Sequence, residues 1–363
     1  MRLWTQEAWH FDLSPLPWPR TGPGMAADGG LKFDLTRFDP AYFERLAERV
    51  ETAGRRGFWV SVMLFQGWSL HDNGEGNPWP RHPWHRDNNV HGIDGDPDRR
   101  GDGVGLHTLR QPALLRLQEA YVEKVADTVG HFGCVLYEIA NESPGSSHDW
   151  QCHLVRHLRE HERARGRRHP IGMTFAYPGG TNEALFAGPA DWISPGRRGG
   201  YMKRPPAADG RKVVLTDTDH LWGIGGGRAW VWRSFLSGLH PLYMDPLDDD
   251  PRHLEARQAM GAARRLADRV DLAQLIPAPS LSSTQACLAG GDTLIAYLPT
   301  GRAKLDLGRF DGPLSCEWID PTTGAVIPGE PVAGGARQRF RAPFALDAVL
   351  HLTTKAEGLP ETG

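Results

Sequence analysis

The sequence predicts an α/β fold in which parallel strands alternate with helices, followed by a smaller all-β region. Short apolar runs alternate with amphipathic helical stretches from Arg2 to about Leu275. After the proline-rich segment 276–279, short alternating strands are punctuated by Gly, Pro and Asp. At 363 residues the chain also exceeds the size at which a single core stops growing, so we expect one large and one small domain.

The first region divides into strands and helices at a regular spacing. Asp39 and Pro40 supply an N-cap and a first-turn proline, and Gly54 follows the last apolar position of that helix. We expect helices over about 39–54, 111–129, 147–165, 228–236 and 251–268. We expect strands at 2–4, 58–65, 134–139, 170–175, 191–194, 212–215 and 241–244. This is the cadence of a TIM (β/α)8-type barrel that lacks its first β/α unit.

The predicted domain bounds are 1–278 for the barrel, 279–354 for an all-β sandwich and 355–363 for a tail. Strands of the small domain are expected at 293–298, 314–318 and 348–352. Two long polar loops, up to about residue 35 and from 66 to about 107, are expected to lie near a functional site.

Charge and composition exclude several classes of partner. The net charge is −3, from 41 basic and 44 acidic residues, so we expect no binding to nucleic acid or to an anionic membrane. No run of 18 apolar residues and no signal peptide is present. Because the first barrel unit is missing, we expect Met1 to be an internal methionine, which leaves localisation open along with oligomeric state. The four cysteines lack CxxC spacing and are expected to be buried thiols.

Carboxylates follow two of the predicted strands directly, which is where barrel enzymes carry reactive groups. The fourth strand of a complete barrel would end in Asn141 and Glu142, and the seventh would be followed by Asp217 and Asp219. Cleavage of a glycosidic bond needs two carboxyl groups, one to protonate the leaving oxygen and one to attack or to activate water. Asn141 beside the acid would suit a hydrogen bond to a sugar hydroxyl.

These residues resemble the glycoside hydrolase superfamily called clan A, which carries Asn-Glu on the fourth barrel strand and a carboxylate on the seventh. Arg2 matches the arginine that members often carry on strand two. The segments 318–324 and 347–352 resemble the β-domain of a poorly characterised glycosidase group in that clan, sometimes named a collagen-binding domain.

The resemblance implies an O-glycosyl hydrolase with Glu142 as acid/base and Asp217 or Asp219 as nucleophile or base. Its substrate would be a poly- or oligosaccharide, and no cofactor or metal is implied. The clan nucleophile is usually Glu, and Asp is shorter by one methylene, so retention of configuration is favoured but not fixed. Glu138 is expected to point to the same side as Glu142 and to raise its pKa by like-charge repulsion.

The candidate substrate-binding residues lie at the strand ends and in the following loops. They are Arg2, Trp4, Gln6, Gln66, Trp68, Asn141, Tyr177, His220 and Trp222. For His220 the alternative is a structural hydrogen bond, and for Gln66 it is a backbone cap. The loop tryptophans, which also include Trp79 and Trp84, would either stack on sugar rings or pack beneath their loops.

Three other interpretations stay open. The His-rich loop 82–91 does not have the spacing of a helical metal site, although sixteen His keep a metal-dependent hydrolase in view. The glycine run 223–227 lacks the Lys-Ser/Thr of a phosphate loop and is better explained as a tight turn. A non-catalytic carbohydrate-binding protein derived from a glycosidase is the main alternative function.

Overall fold

A computed structural model describes residues 1–4, 16–72, 74 and 76–354, with the backbone alone described for Trp4. The chain divides into two compact units, Met1–Ser194 and Pro195–Gly363. None of the helices in the described ranges combines the length and the apolar composition that a membrane span requires.

The first unit alternates strands with helices. Its elements are β1 (Arg2–Trp4), β2 (Arg20–Met25), β3 (Leu31–Phe33), α1 (Pro40–Arg55), β4 (Val60–Gln66), α2 (Pro112–Val129), β5 (Val135–Asn141), α3 (His148–Ala164), β6 (Ile171–Thr174), α4 (Asn182–Ala187) and β7 (Trp192–Ser194). Five strands pair in parallel in the order β1-β4-β5-β6-β7. This confirms the predicted strands and helices of this region to within a few residues.

Strand β4 shows why the apolar runs are continuous instead of alternating. All seven of its residues are buried, because a parallel sheet with helices packed on it has no solvent face. The register pairs Gln66 with Asn141, so the carboxyl ends of β4 and β5 lie side by side. Side chains that follow these two strands therefore meet at one edge of the sheet.

The two long loops contain more structure than the sequence predicts. Strands β2 and β3 form an antiparallel hairpin inside the first loop. In the second loop, the side-chain amide of Asn88 donates to the carbonyls of Pro80 and His82, and that of Asn89 donates to the carbonyls of His85 and Ile93. These bonds satisfy buried backbone groups that the loop cannot pair with a neighbouring strand.

The second unit contains two parallel strands, two helices and an antiparallel region. Its elements are β8 (Val213–Asp217), α5 (Arg228–Leu236), β9 (His240–Leu242), α6 (Pro251–Ala267), β10 (Ile276–Pro277), β11 (Cys287–Gly290), β12 (Thr293–Leu298), β13 (Arg302–Asp306), β14 (Pro313–Ile319), β15 (Val326–Ala333), β16 (Arg337–Arg341) and β17 (Ala348–Thr353). Strands β8 and β9 pair in parallel, as the barrel cadence predicts.

The antiparallel region has a core of its own. Its strands form a six-stranded sheet in the order β10-β11-β12-β17-β14-β15 and a separate pair, β13-β16. Leu294, Leu305, Phe310, Trp318 and Leu350 are among the side chains buried there. The predicted all-β texture is confirmed, whereas the sandwich architecture and the bounds 279–354 stay predictions. The four cysteines are free thiols, and three of them are buried.

Within the second unit, Arg228 at the start of α5 ties the helices to the antiparallel region. Its guanidinium lies 2.9 Å from the Asp347 carboxylate and 2.7 Å from that of Glu255 on α6, and it donates to the Thr322 hydroxyl at 2.8 Å. Asp347 also accepts a hydrogen bond from the Tyr297 hydroxyl at 2.6 Å. One side chain thus joins two helices to the segments preceding β15 and β17.

We predict that Arg228→Met lowers the stability of the folded chain by about 1–3 kcal/mol, because it leaves the mostly buried Asp347 carboxylate without its charged partner. Thermal unfolding followed by circular dichroism measures this loss. Arg264→Met, which breaks only the solvent-exposed pair with Asp268 on the same unit, is the matched control and should leave the midpoint unchanged. Equal midpoints for the two variants would contradict the assigned role of Arg228.

Candidate active site

A buried ion pair lies beneath the carboxyl ends of the strands in the first unit. The guanidinium of Arg2 on β1 donates to both carboxylate oxygens of Glu138, from Nε at 2.8 Å and from Nη2 at 2.5 Å. The same Nη2 donates to Oδ1 of Asn141 at 2.5 Å. Glu138 is only 1% exposed, and the Arg2 guanidinium lies against its carboxylate. The expected effect of Glu138 on the pKa of Glu142 stays a prediction.

The contact with Arg2 fixes which way the Asn141 amide is turned. With Oδ1 toward the cation, Nδ2 points the other way and donates to Oε1 of Gln66 at 3.3 Å. Gln66 Oε1 also accepts the backbone N–H of Trp68 at 3.1 Å, which is the cap that the sequence offered as its alternative role. The two strand ends are therefore joined through side chains as well as through the sheet.

Glu142 stands immediately after β5 in an unusual backbone conformation. Its φ is +46°, in the left-handed region that non-glycine residues rarely adopt. Such strain persists only where the surroundings impose it, and it is concentrated at functional sites. At Gly67, a Cβ would lie 2.3 Å from the Glu142 carbonyl oxygen and 2.4 Å from the Ser143 Cα, so residue 67 must be glycine for this turn to form.

A buried polar chain supports the residue that follows Glu142. The Ser143 hydroxyl lies 2.8 Å from Nδ1 of His107, whose ring stacks on Trp150 at 4.2 Å and 8°. Trp150 Nε1 in turn donates to Gln118 on α2 at 2.9 Å. Burial lowers the pKa of His107 to about 3, so this imidazole is neutral at physiological pH. The contact between His107 and Ser143 is therefore not altered by protonation of the ring near neutral pH.

Sequence reasoning missed His107, because it lies at the end of a long loop with no distinguishing motif. Tyr177, which the sequence did single out, lies in the loop after β6. Its backbone N–H donates to the Ser143 carbonyl at 2.9 Å, and the Gly145 N–H donates to the Pro178 carbonyl at 2.8 Å. The Tyr177 side chain is 52% exposed, so it is accessible beside the Glu142 loop.

The second unit carries the other candidate carboxylates. Asp217 is the last residue of β8 and is 4% exposed, and its Oδ1 accepts the backbone N–H of Asp219 at 3.0 Å. The Asp219 side chain is 13% exposed, with an oxygen 4.0 Å from Nε2 of the buried His220. Asp217 thus caps the turn that presents Asp219.

The loop tryptophans fall into two groups. Trp79 and Trp84 are almost fully buried and pack beneath their own loop, so stacking on a sugar is wrong for these two. Trp68 and Trp222 are partly exposed, and Trp222 packs edge-on against Trp230 at 5.8 Å. Gln6 and the Trp4 side chain lie outside the described residues. Among the residues that are described, no group of three or more His, Cys, Asp or Glu is placed to hold a metal ion.

No family model and no curated protein matches the sequence. Solved structures do match the fold. A glycoside hydrolase superposes on 93% of this chain and 84% of its own, with a TM-score of 0.58 and 14% identity. A family 5 glycoside hydrolase from Bacteroides vulgatus covers 86% of this chain and 74% of its own, with a TM-score of 0.54 and 13% identity.

The chain shares the fold of these two glycoside hydrolases. The resemblance to clan A that the sequence motifs carry is thereby confirmed at the level of the fold, which is TIM-barrel-like. Two finer points of this glycoside hydrolase fold stay predictions. One is the missing first β/α unit, and the other is the likeness of the C-terminal region to a collagen-binding-type domain. The assignment of individual site residues is likewise a matter for proposal and experiment.

We predict that Gly67→Ala destabilises the folded chain by about 1–3 kcal/mol, because the added methyl group overlaps backbone atoms that have no flexible side chain to move away. Thermal unfolding checks this value. Gly133→Ala is the matched control, since a Cβ there meets nothing within 4 Å. A Gly67→Ala variant as stable as Gly133→Ala would show that the strand ends are not packed as closely as described.

Proposed function

We propose that this chain hydrolyses O-glycosidic bonds of poly- or oligosaccharides, with Glu142 as the acid/base and Asp217 or Asp219 as the second carboxylate. The observation that carries the proposal is the strained backbone of Glu142, which directly follows a parallel strand and is held beside an Asn141 amide oriented by a buried ion pair. The glycoside hydrolase fold supplies the context in which such a strand-end carboxylate is catalytic.

In the proposed reaction, the Glu142 carboxylic acid protonates the glycosidic oxygen as the bond to the anomeric carbon breaks. The second carboxylate either attacks that carbon to give a glycosyl-enzyme or removes a proton from an attacking water. In the first case Glu142 then acts as base toward water, and the sugar is released with retained configuration. We favour retention, which requires the two carboxyl groups to lie roughly 5–5.5 Å apart during catalysis.

The two aspartates differ in burial and in the contacts of their side chains. Asp217 is the more buried of the two, and one of its oxygens accepts a hydrogen bond from the Asp219 backbone N–H, which holds the side chain in one orientation. Asp219 is the more exposed of the two, and it lies next to His220. Because a nucleophile must be held in a fixed position, we favour Asp217 as the nucleophile, with Asp219 as the alternative.

Substrate contacts are proposed for side chains at the strand ends and in the following loops of each unit. Asn141 is assigned to a hydrogen bond with a sugar hydroxyl near the reacting carbon. Arg2 is assigned to orienting the Asn141 amide, to which it donates a hydrogen bond. Tyr177, Trp68 and Trp222 have exposed ring area for stacking against sugar faces. The remaining candidates are Gln66, His220, Trp4 and Gln6.

We predict that Glu142→Gln reduces hydrolysis by about 10²–10⁴-fold, because an amide has the shape of the acid but cannot transfer its proton. Turnover is measured on a panel of aryl glycosides and polysaccharides, with folding checked by circular dichroism. The control is Glu183→Gln, which neutralises an exposed carboxylate in the first turn of α4 and should leave turnover unchanged. A fully active Glu142→Gln variant would refute the assignment.

The same assay separates the two aspartates. Asp217→Asn keeps the side-chain oxygen that caps the turn. A loss of turnover as large as that of Glu142→Gln would therefore report on the charge of Asp217 and not on the fold. We expect a severe loss for Asp217→Asn and a smaller one for Asp219→Asn, and the reverse order would reassign the role. Sugar binding by the unsubstituted chain with no turnover across the whole panel would favour a carbohydrate-binding protein instead.

A further inference from the structure

Basic side chains lie opposite one another on the outer face of the two-stranded sheet β13-β16. The register pairs Arg302 with Arg341 and Lys304 with Arg339. All four side chains are exposed, whereas Phe340, between two of them, is buried in the apolar core. Side chains alternate between the two faces of a strand, so the four cations share one surface. We call this surface, formed by Arg302, Lys304, Arg339 and Arg341, the basic face.

The described residues supply no ion pair for any member of the basic face. Asp306 is the one carboxylate at an outward position of these two strands, and it lies 2.9 Å from Arg337 instead. Directly opposite Cβ atoms in an antiparallel sheet are roughly 5 Å apart, and positions two residues along a strand are roughly 7 Å apart. These separations are below the Debye length of about 10 Å at 0.1 M salt, so the four charges repel one another.

This repulsion opposes folding, because like charges at directly opposite positions destabilise a sheet. Charged side chains do protect exposed strands from pairing with another chain, but charges of mixed sign would serve equally and would attract each other. The whole chain has a net charge of −3, so its composition does not account for a cluster of positive sign. A bound polyanion would relieve the repulsion, which makes polyanion binding the role that this arrangement suits.

We propose that the basic face binds an acidic polysaccharide through its carboxylate groups. Three of the four side chains are Arg, whose planar guanidinium can form two parallel hydrogen bonds with one carboxylate. A polymer with a charge on successive sugars contacts several cations at once, so individually weak contacts add up to measurable binding. That the polyanion is a glycan rests on the proposed function, whereas polyanion binding by itself does not.

Nucleic acid and anionic membranes match this face less well. Specific protein–DNA interfaces bury on the order of 1,000–2,500 Å² of protein surface. Strands β13 and β16 have five residues each, and such a strand is only about 17 Å long. Binders of single-stranded nucleic acid stack bases on aromatic rings, and membrane-bound surfaces insert apolar side chains. The outward positions of these two strands carry charged residues alone.

Electrophoresis of the full chain in native gels that contain polygalacturonate, alginate or neutral dextran tests the proposal. We expect at least one acidic polysaccharide to retard the chain, less so as salt is raised, and dextran not to retard it. Lys304→Gln combined with Arg339→Gln should weaken this binding about fivefold or more, because two of the four charged contacts are lost. The thermal midpoint of this double variant should not fall, since the substitutions relieve repulsion.

The matched control is Arg252→Gln combined with Arg264→Gln, which removes two exposed positive charges from α6 in the same unit. It should bind the polysaccharide as the unsubstituted chain does. The proposal fails if neither acidic polysaccharide retards the chain, or if the two double variants bind equally well. Tighter binding of single-stranded DNA or of phosphatidylglycerol vesicles than of either polysaccharide would also overturn it. Binding that depends on the basic face, in a chain that hydrolyses no glycoside, would contradict the proposed function and leave this surface standing.

Discussion

The ion pair between Arg2 and Glu138 is the interaction on which the rest of the site depends. Removing two charges from water is costly, and here the cost is offset because the Arg2 guanidinium forms charge-assisted hydrogen bonds with both carboxylate oxygens of Glu138. The pair has two structural consequences. It orients the Asn141 amide and links β1 to β5, the strand that ends immediately before the left-handed backbone of Glu142.

The elements that sequence could predict are those determined by local pattern. Strands β4 and β5 are largely apolar and buried, and Asp39-Pro40 marks the start of α1, so these elements follow from hydrophobic pattern and capping. The hairpin β2-β3 and the six-residue helix α4 were missed, because short elements in Gly/Pro-rich loops take their stability from tertiary contacts.

The residues of the candidate site also divide into those that the sequence could predict and those that it could not. Glu142 and Asp217 could be singled out because position at a strand end is a local property that the sequence displays. His107 and Gly67 could not, since one contacts Ser143 across 36 residues and the other is required only by a backbone 75 residues away. Trp84 is buried and Trp222 is partly exposed, and the sequence did not distinguish them. Nothing in composition tells a tryptophan packed under a loop from one beside a site.

A crystal structure of the Glu142→Gln variant with an oligosaccharide that it binds but does not cleave tests the central claim most directly. We expect a glycosidic oxygen within about 2.6–3.2 Å of the residue 142 amide, with the adjoining anomeric carbon facing the carboxylate of Asp217 or Asp219. A sugar bound with no glycosidic linkage near residue 142, or with its anomeric carbon facing neither aspartate, would contradict the account.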